Sequence, residues 1–511
     1  MTVLEAPPHA IDADEVEPSW LVRRLGPAWP LKAFLLGFPL WWVLGLAGFI
    51  GPIAALVMAV QMLRRRTIRV PVGFGLWLLF LIWMLAGVFV LWAHAPGTED
   101  GGGIERLIPW GYRVLWYLAA TVAMLYPLNV TPRGVPSREM ARWMGVLFMY
   151  CVIGGLAGVV VPHFEFRSLM EMLIPNAKGD DFLYNLVHPA LTTSSEFLGY
   201  EQPRPKAPFA YANAWGNNVG LLMPFFVYSA WSDRRPWWRW IFPAGIGLTA
   251  ALVAHGSIVV GALAFLGAWA LDLRRWPKLL VALGLGMAAI PIAYSLNRGL
   301  WIGIGVLVVV GGVALLRVRR YAELWVLAVA IVVAGLLIVL SPLWATITAR
   351  IAHPHSNERR LTVAEVVTST TWQGSPILGF GTTRKVSGNF VSIAGGSTEA
   401  CHQCAAPPLG TQGFMWRLVF TTGFVGTGLF AAFVAVQLWV HVRRREAMCL
   451  LGSITLVTGC LYFFVYDSLE GPLTLVMLAV GLMNRERIVA EGAELAGRAA
   501  TALSGTSEGP S

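Results

Sequence analysis

Residues 234–275 read RRPWWRWIFPAGIGLTAALVAHGSIVVGALAFLGAWALDLRR. A bilayer core takes about 20 apolar residues per helix. The apolar stretch 237–273 between the arginine pairs is therefore too long for one span and short for two. Its middle holds His255-Gly256, where a turn fits. Charge decides between the readings. A single crossing would put Arg234-Arg235 and Arg274-Arg275 on opposite faces and send every later basic cluster outside, against the enrichment of Lys and Arg in cytoplasmic loops. The stretch is read as two short spans folded into a hairpin.

The same rule orders the rest of the chain. Basic clusters recur at Arg64-Arg65-Arg66, from Arg133 to Arg142, from Arg317 to Arg320, at Arg443-Arg444-Arg445, and at Arg485 and Arg487. Every second gap between apolar stretches lacks one. Placed inside, these clusters leave the alternate gaps external: 93–105, 162–212, around His255, 295–298, 341–412 and 467–470. Hydrophobic residues make up 56% of the chain and charged residues 13%, with a mean hydropathy of +0.63. That composition excludes a soluble domain. The net charge of +10 reflects topology rather than binding to nucleic acid, because most of the 38 basic residues fall in the inside gaps.

The stretch 31–63, broken at Gly48, Gly51 and Pro52 and preceded by Arg23-Arg24, is a second hairpin by the same logic. Both termini are then cytoplasmic. The expected fold is an all-α polytopic membrane protein of about 12 to 14 transmembrane helices, with two long extracytoplasmic loops. Residues 1–30 form a cytoplasmic tail with no signal-peptide core. Residues 31–162, 213–342 and 413–487 are the N-terminal, central and C-terminal membrane blocks. Residues 163–212 and 343–412 are the two long loops, and 488–511 is a polar cytoplasmic tail expected to be disordered.

Loops of such length are usually functional or disordered. The first contains an amphipathic piece, residues 163–173, suited to the membrane interface, and then the Pro-rich approach 204–213. The second opens on 353–360, where Asn357 is placed to cap a helix running to Trp372. It continues through Gly379-Phe380-Gly381, Thr382, Thr383 and Arg384. A glycine pair lets backbone N–H groups approach an anion, although this one fits no nucleotide fingerprint and a tight turn is the simpler reading.

Arginines at the outer ends of apolar stretches carry more information, because a charge in hydrocarbon is costly and usually faces a cavity or partner. Arg298 lies between two spans. Arg113 follows Pro109-Trp110-Gly111-Tyr112, and Arg417 follows Phe414-Met415-Trp416. Snorkelling to headgroups is the plain explanation. Convergence on an anion, most simply a phosphate or diphosphate bound bidentately, is the functional one.

Four motifs in order carry a family likeness: Arg204 with Phe209 and Asn213; Ser295-Leu296-Asn297-Arg298-Gly299; Arg360 with Trp372, Pro376 and Gly379-Phe380-Gly381; and Gly423-Phe424-Val425-Gly426 at the start of a late span. From about Arg204 to Asp467 the chain resembles the O-antigen ligase and polymerase superfamily. The resemblance implies a membrane glycosyltransferase that moves a glycan from a polyprenyl-diphosphate carrier to an acceptor hydroxyl. The reaction would take place at the outer face of the cytoplasmic membrane, without a cofactor or obligatory metal. It further implies that Arg298 and Arg360 stabilise charge on the departing diphosphate. Arg113, Arg204, Arg359, Arg384 and Arg417 would contact substrate, with Tyr211, Asn213 and His402. Where ligases carry a histidine this chain has Gln412, which hydrogen-bonds but takes no proton. A base is then expected from Glu358, His402, Asp467 or Glu470. Ligase and polymerase both remain open, and an exporter of lipid-linked glycans is the alternative class.

Cys151, Cys449 and Cys460 lie in apolar stretches and serve as small apolar residues. Cys401-His402-Gln403-Cys404 lies in the second long loop, where a disulfide suits an oxidising compartment and zinc is the lesser option, one CxxC being half a site.

Overall fold

The computed structural model describes residues 20–65, 67–99, 103–131, 134–174, 182–195, 202–232, 238–253, 257–271, 276–339, 344–345, 348, 355–386 and 408–505. It is 75% helical. Helices α1 (Trp20–Leu25), α2 (Trp29–Leu36) and α3 (Phe38–Val43) lead into α4 (Ile50–Leu63), α5 (Phe74–Ala86), α6 (Leu107–Asn129) and α7 (Ser137–Val160). A small non-bundle layer follows, with α8 (Leu169–Leu173), α9 (Phe182–Val187) and an antiparallel hairpin. In that hairpin Thr192 of β1 (Thr192–Ser195) pairs with Pro205 of β2 (Gln202–Pro205). The chain continues through α10 (Ala212–Ser232), α11 (Trp238–Val253), α12 (Ile258–Ala270), α13 (Pro277–Tyr294), α14 (Arg298–Arg317) and α15 (Tyr321–Val339). It ends in α16 (His355–Gly374), α17 (Phe414–His441), α18 (Ala447–Val465) and α19 (Gly471–Gly505).

Among the described residues five helices, α7, α13, α14, α17 and α18, are long and apolar enough to cross a membrane. Their neighbours turn large apolar side chains outward, as with Ile258 at 83% exposure and Leu263 at 64% on α12. So extensive an exposed apolar surface marks contact with lipid. Inside the bundle the helices meet through close packing, since lipid offers no hydrophobic drive between them. An aromatic seam joins α5, α6, α17 and α18: Phe80 lies 5.2 Å from Tyr117, and Phe414 lies 5.3 Å from Phe430 and 5.0 Å from Phe463.

Both expected hairpins fold back on themselves. In the second, Gly247 of α11 faces Phe265 of α12 while Ala251 faces Gly261, an antiparallel pairing. His255-Gly256 itself lies outside the described residues. In the first, α2 packs on α4 across a turn at 44–49. The chain breaks there, ahead of Gly51 and Pro52, which occupy the first turn of α4, where proline is tolerated.

Several expectations need correction. Of residues 163–173 only Leu169–Leu173 is helical, capped by the Ser168 hydroxyl on the Glu171 N–H at 3.1 Å. The preceding residues are extended because their backbone pairs with residues 189–191: Phe166 donates to the Pro189 carbonyl and Leu191 to that of Phe164, each at 3.1 Å. Asn357 sits within α16, which starts at His355. α17 is two helical segments joined across a non-helical Gly423, so the later segment starts at the expected motif while the helix as a whole begins at Phe414. The polar end of the chain is helical to Gly505, since its Ala, Leu, Glu and Arg residues are strong helix formers and Arg487 pairs with Glu491 at 2.9 Å.

Among the described residues, basic segments collect at one end of the bundle. Asn129 of α6 holds the backbone of Arg69, and Asn484 of α19 holds that of Val72. Arg317 reaches the Val442 carbonyl at 3.2 Å, Arg444 pairs with Glu491, and Arg485 donates to the Val135 carbonyl. α6 and α19 run parallel. Tyr112 meets Glu470 just before α19, and a Cβ on Gly481 one stage further down would lie 2.4 Å from the Met124 carbonyl. The opposite end of the bundle is therefore where α6, α10, α14, α17 and α19 begin.

Candidate functional site

That opposite end is assembled around a break in α17. Gly423 has φ +65°, which ordinary side chains avoid, and the break releases carbonyls from the helix ladder. Segment 376–381 docks onto them: Phe380 donates to the Phe420 carbonyl at 2.8 Å and Gly381 to that of Thr421 at 3.1 Å, while Phe424 donates to Pro376 at 2.8 Å. Trp83 of α5 adds its indole N–H to the Thr422 carbonyl at 3.0 Å. A Cβ on Gly423 would lie 2.2 Å from the Ile377 carbonyl, and one on Gly379 2.6 Å from the Gly423 nitrogen. The glycines serve close backbone approach. The N–H groups of Gly379, Phe380 and Gly381 all have backbone partners, so the glycine pair is a docking turn and does not cradle an anion.

Docking sets the Gly381 carbonyl 2.7 Å from Nη2 of Arg113, in the second turn of α6. Nη1 of Arg113 makes no hydrogen bond, although the residue is only 6% exposed. Arg384 is used differently. Its guanidinium donates to the carbonyls of Leu91 at 2.6 Å, Phe380 at 3.0 Å and Thr382 at 3.3 Å, and its backbone bridges to Leu409. Burial, with Arg106 adding repulsion, lowers its pKa to about 10. These bonds make Arg384 a brace for the segment.

The bridge leads into Gly410, Thr411, Gln412 and Gly413, where Gln412 takes φ +65° and is half-buried. This turn launches α17 and its Arg417, whose Nε reaches the Gly410 carbonyl at 3.4 Å and whose Nη2 pairs with Asp467. Segment 466–470 closes the ring. Its Tyr466 carbonyl accepts from the Phe414 N–H at 2.8 Å, and Tyr466 donates its hydroxyl to Asn297. Tyr112 donates to Glu470 at 2.6 Å. Burial pushes the Glu470 carboxyl up, and Asp467 pushes it further, while the Tyr112 hydrogen bond and Arg417 oppose the rise. Tyr211 stands beside Glu470, and burial together with that carboxylate raises its phenol.

A second tier comes from α10 and α14. Arg204 donates to the Ser295 carbonyl at 2.7 Å and to Asn213 at 3.2 Å, so those two expected residues do meet. Asn297 caps α14 at the Leu300 N–H, 3.4 Å away, which fixes Arg298, half-buried, at the first position of the helix. Asn217 donates to Ser468 at 2.8 Å. Three carboxamide atoms remain unmade: Oδ1 of Asn217, Oδ1 of Asn218 and Nδ2 of Asn297, in residues at most 4% exposed.

Of the residues expected from sequence, Arg113, Arg417, Gln412 and Tyr211 thus gather around Asp467 and Glu470. Arg204, Asn213 and Arg298 form the neighbouring tier, and Arg384 is a structural brace. The side chains of Glu358, Arg359 and Arg360, in the first turns of α16, lie outside the described residues, as do Cys401, His402 and Cys404. Sequence reasoning missed Tyr112, Asn217, Asn218 and Ser468. The signal was Asn213, Asn217 and Asn218 crowded into the start of an apolar helix, where polar groups are costly.

The ring can hold an anion. Five helix N-termini turn the positive ends of their dipoles toward this end, and Arg113 and Arg417 add formal charge within electrostatic reach of each other. Glu470 offers a carboxylate more basic than usual. No protein-family model and no curated protein matches this chain.

Proposed function

We propose that the polar end is the active site of a membrane glycosyltransferase of the O-antigen ligase or polymerase kind, using a polyprenyl-diphosphate-linked glycan. The chain would cross the cytoplasmic membrane about 12 to 14 times, with the polar end on the outer side and the basic clusters inside. The observation that carries the reading is Arg113, buried, with one guanidinium nitrogen bonded to Gly381 and the other unmade beside Arg417. A diphosphate leaving the anomeric carbon gains negative charge. A fixed guanidinium and helix N-termini stabilise that charge without reorganising. Arg417 supports it from across the ring, and Arg298 from the α14 N-terminus.

The acceptor hydroxyl must lose a proton as it attacks. Glu470 suits this role because a raised pKa brings a carboxylate's basicity closer to neutral pH. Tyr112 orients it. Asp467, bonded to Arg417, balances the ring's charge, and the unmade atoms of Asn217, Asn218 and Asn297 are available to sugar hydroxyls. Gln412 is placed to orient and not to deprotonate.

The test is transfer by the purified chain in proteoliposomes supplied with a polyprenyl-diphosphate-linked oligosaccharide and followed by mass spectrometry. The donor is best taken from the lipid-linked glycan that accumulates in cells lacking the protein. Release of polyprenyl diphosphate with extension of an acceptor supports the reading. An intact donor moved across the bilayer without cleavage would replace it with export.

A further inference from the structure

Beside the polar ring, α16 and the first turn of α17 border a shallow, open groove of about 480 Å³. Its walls are Glu365, Thr368, Ser369, Trp372 and Gln373 of α16 and Trp416 of α17. The α16 residues follow an i, i+3, i+4, i+7, i+8 spacing, so they form one stripe of the helix. The opposite stripe, with Val363 and Val367, is buried against Phe380 and Phe420 and anchors the helix. The groove stripe is therefore free of that duty. Trp372 is 69% exposed and is held edge-on by Phe424 at 5.8 Å. Trp416 is held the same way by Phe464 at 5.9 Å.

We propose that this groove is a glycan subsite that binds pyranose rings of an uncharged oligosaccharide, resting on the transferase reading of the adjacent ring. A pyranose has an apolar C–H face and a rim of hydroxyls. Two indoles offer flat apolar surface of low conformational cost, and a carboxylate, two hydroxyls and an amide on the same stripe match the rim. The hydroxyls of Thr368 and Ser369 donate to their own helix, at 2.7 Å and 3.1 Å, which leaves oxygen lone pairs to accept from sugar. An acyl chain would cover the indoles but lay hydrocarbon against the Glu365 carboxylate, which it cannot satisfy. An anionic headgroup would meet the Glu365 carboxylate and no cation in the lining. Trp416 immediately precedes Arg417 in the first turn of α17, so the groove lies next to the ring in which the anomeric carbon would react.

The experiment applies the full chain, labelled and held in nanodiscs, to a printed panel of uncharged bacterial-surface oligosaccharides. Wild type is expected to bind at least one of them. Trp372→Ala and Trp416→Ala should each weaken binding about 30-fold, the loss typical of a buried aromatic anchor. Trp372→Tyr, which keeps a ring, should retain most of it, and Gln373→Ala should show a smaller loss without touching the core. No binding by wild type, or wild-type binding by Trp372→Ala, overturns the proposal, as does occupancy by lipid or a second copy alone. Arg113→Lys should bind the panel like wild type. If turnover is absent in every chain while the Trp372→Ala loss persists, the transferase reading fails and the glycan groove stands.

Discussion

The carboxamides at the two ends of the bundle differ in how completely they are used. At the basic end Asn129 bonds both backbone atoms of Arg69 and the Leu125 carbonyl. Asn484 accepts from Val72 at 3.1 Å and donates to Gln437 at 2.8 Å and to Val480 at 3.0 Å, while Gln437 donates to the Val72 carbonyl at 2.6 Å. Every carboxamide oxygen and nitrogen of Asn129, Asn484 and Gln437 has a partner. At the other end Asn217, Asn218 and Asn297 are as deeply buried, yet each leaves an atom unmade. A buried unmade group costs about 1–3 kcal/mol. The fully used cluster braces the 67–73 loop between α4 and α5. The partly used one lies where the proposed substrate would complete the set.

The sharpest break in that comparison should come from Glu470→Gln, which keeps the Tyr112 contact but removes the base. A general base contributes about 10²- to 10⁴-fold, and turnover should fall by that order with helix content unchanged. Wild-type activity should rise with pH as Glu470 ionises above the ordinary carboxylate range, a limb the variant lacks. Stability runs the other way. A carboxyl whose folded pKa is raised contributes stability that is present below its unfolded value and lost as pH climbs through the folded one, so the variant should flatten that decline. A retained acid limb in the variant would remove Glu470 from the mechanism.

Asn484→Ala addresses the basic end. It strands the Val72 N–H and part of Gln437, a cost of about 2–4 kcal/mol, measurable as a lower denaturation midpoint in detergent. Turnover per folded molecule should be unchanged. Asn217→Ala should reverse the pattern at smaller scale: it removes one bond to Ser468, worth about 1 kcal/mol, while raising the apparent KM for donor or acceptor. Equal behaviour of the two variants would erase the distinction between brace and site. The mildest perturbation is a label. With Cys401 and Cys404 replaced by Ser, Glu105→Cys should react with an impermeant maleimide on intact cells and Arg443→Cys only after permeabilisation. The reverse result would put the polar ring in the cytoplasm.

Much of this division could be read from the chain. Alternating basic clusters predict which loops share an end, because a charge cluster has one inexpensive position relative to lipid, and contacts such as Arg69 with Asn129 and Arg485 with Val135 bring the segments beside three of them together. The hairpin at 237–273 followed from the same bias. Arg113 and Arg417 stood out as charges inside apolar runs. The role of Arg384 was not legible: its neighbours Thr382, Leu91 and Phe380 offer carbonyls, and a carbonyl leaves no trace in side-chain chemistry. The purpose of Gly379 and Gly381 was hidden for a similar reason, since their partner is a break in a helix forty residues away in sequence. The carboxamide brace was missed because a lone Asn or Gln near a helix end looks like a polar terminus until its partners are known.

The central claim is that the guanidinium of Arg113 is built for a ligand, and Arg113→Lys tests it most directly. A lysine ammonium can satisfy the Gly381 carbonyl, so the fold keeps its bond, but it lacks the second fixed nitrogen of the planar fork. In proteoliposomes carrying the polyprenyl-diphosphate donor, the variant should match wild type in thermal midpoint. It should release polyprenyl diphosphate about 30- to 1,000-fold more slowly, the loss expected from one charge-assisted contact in a transition state. Wild-type turnover by Arg113→Lys would contradict the account and reduce the arginine to a brace like Arg384.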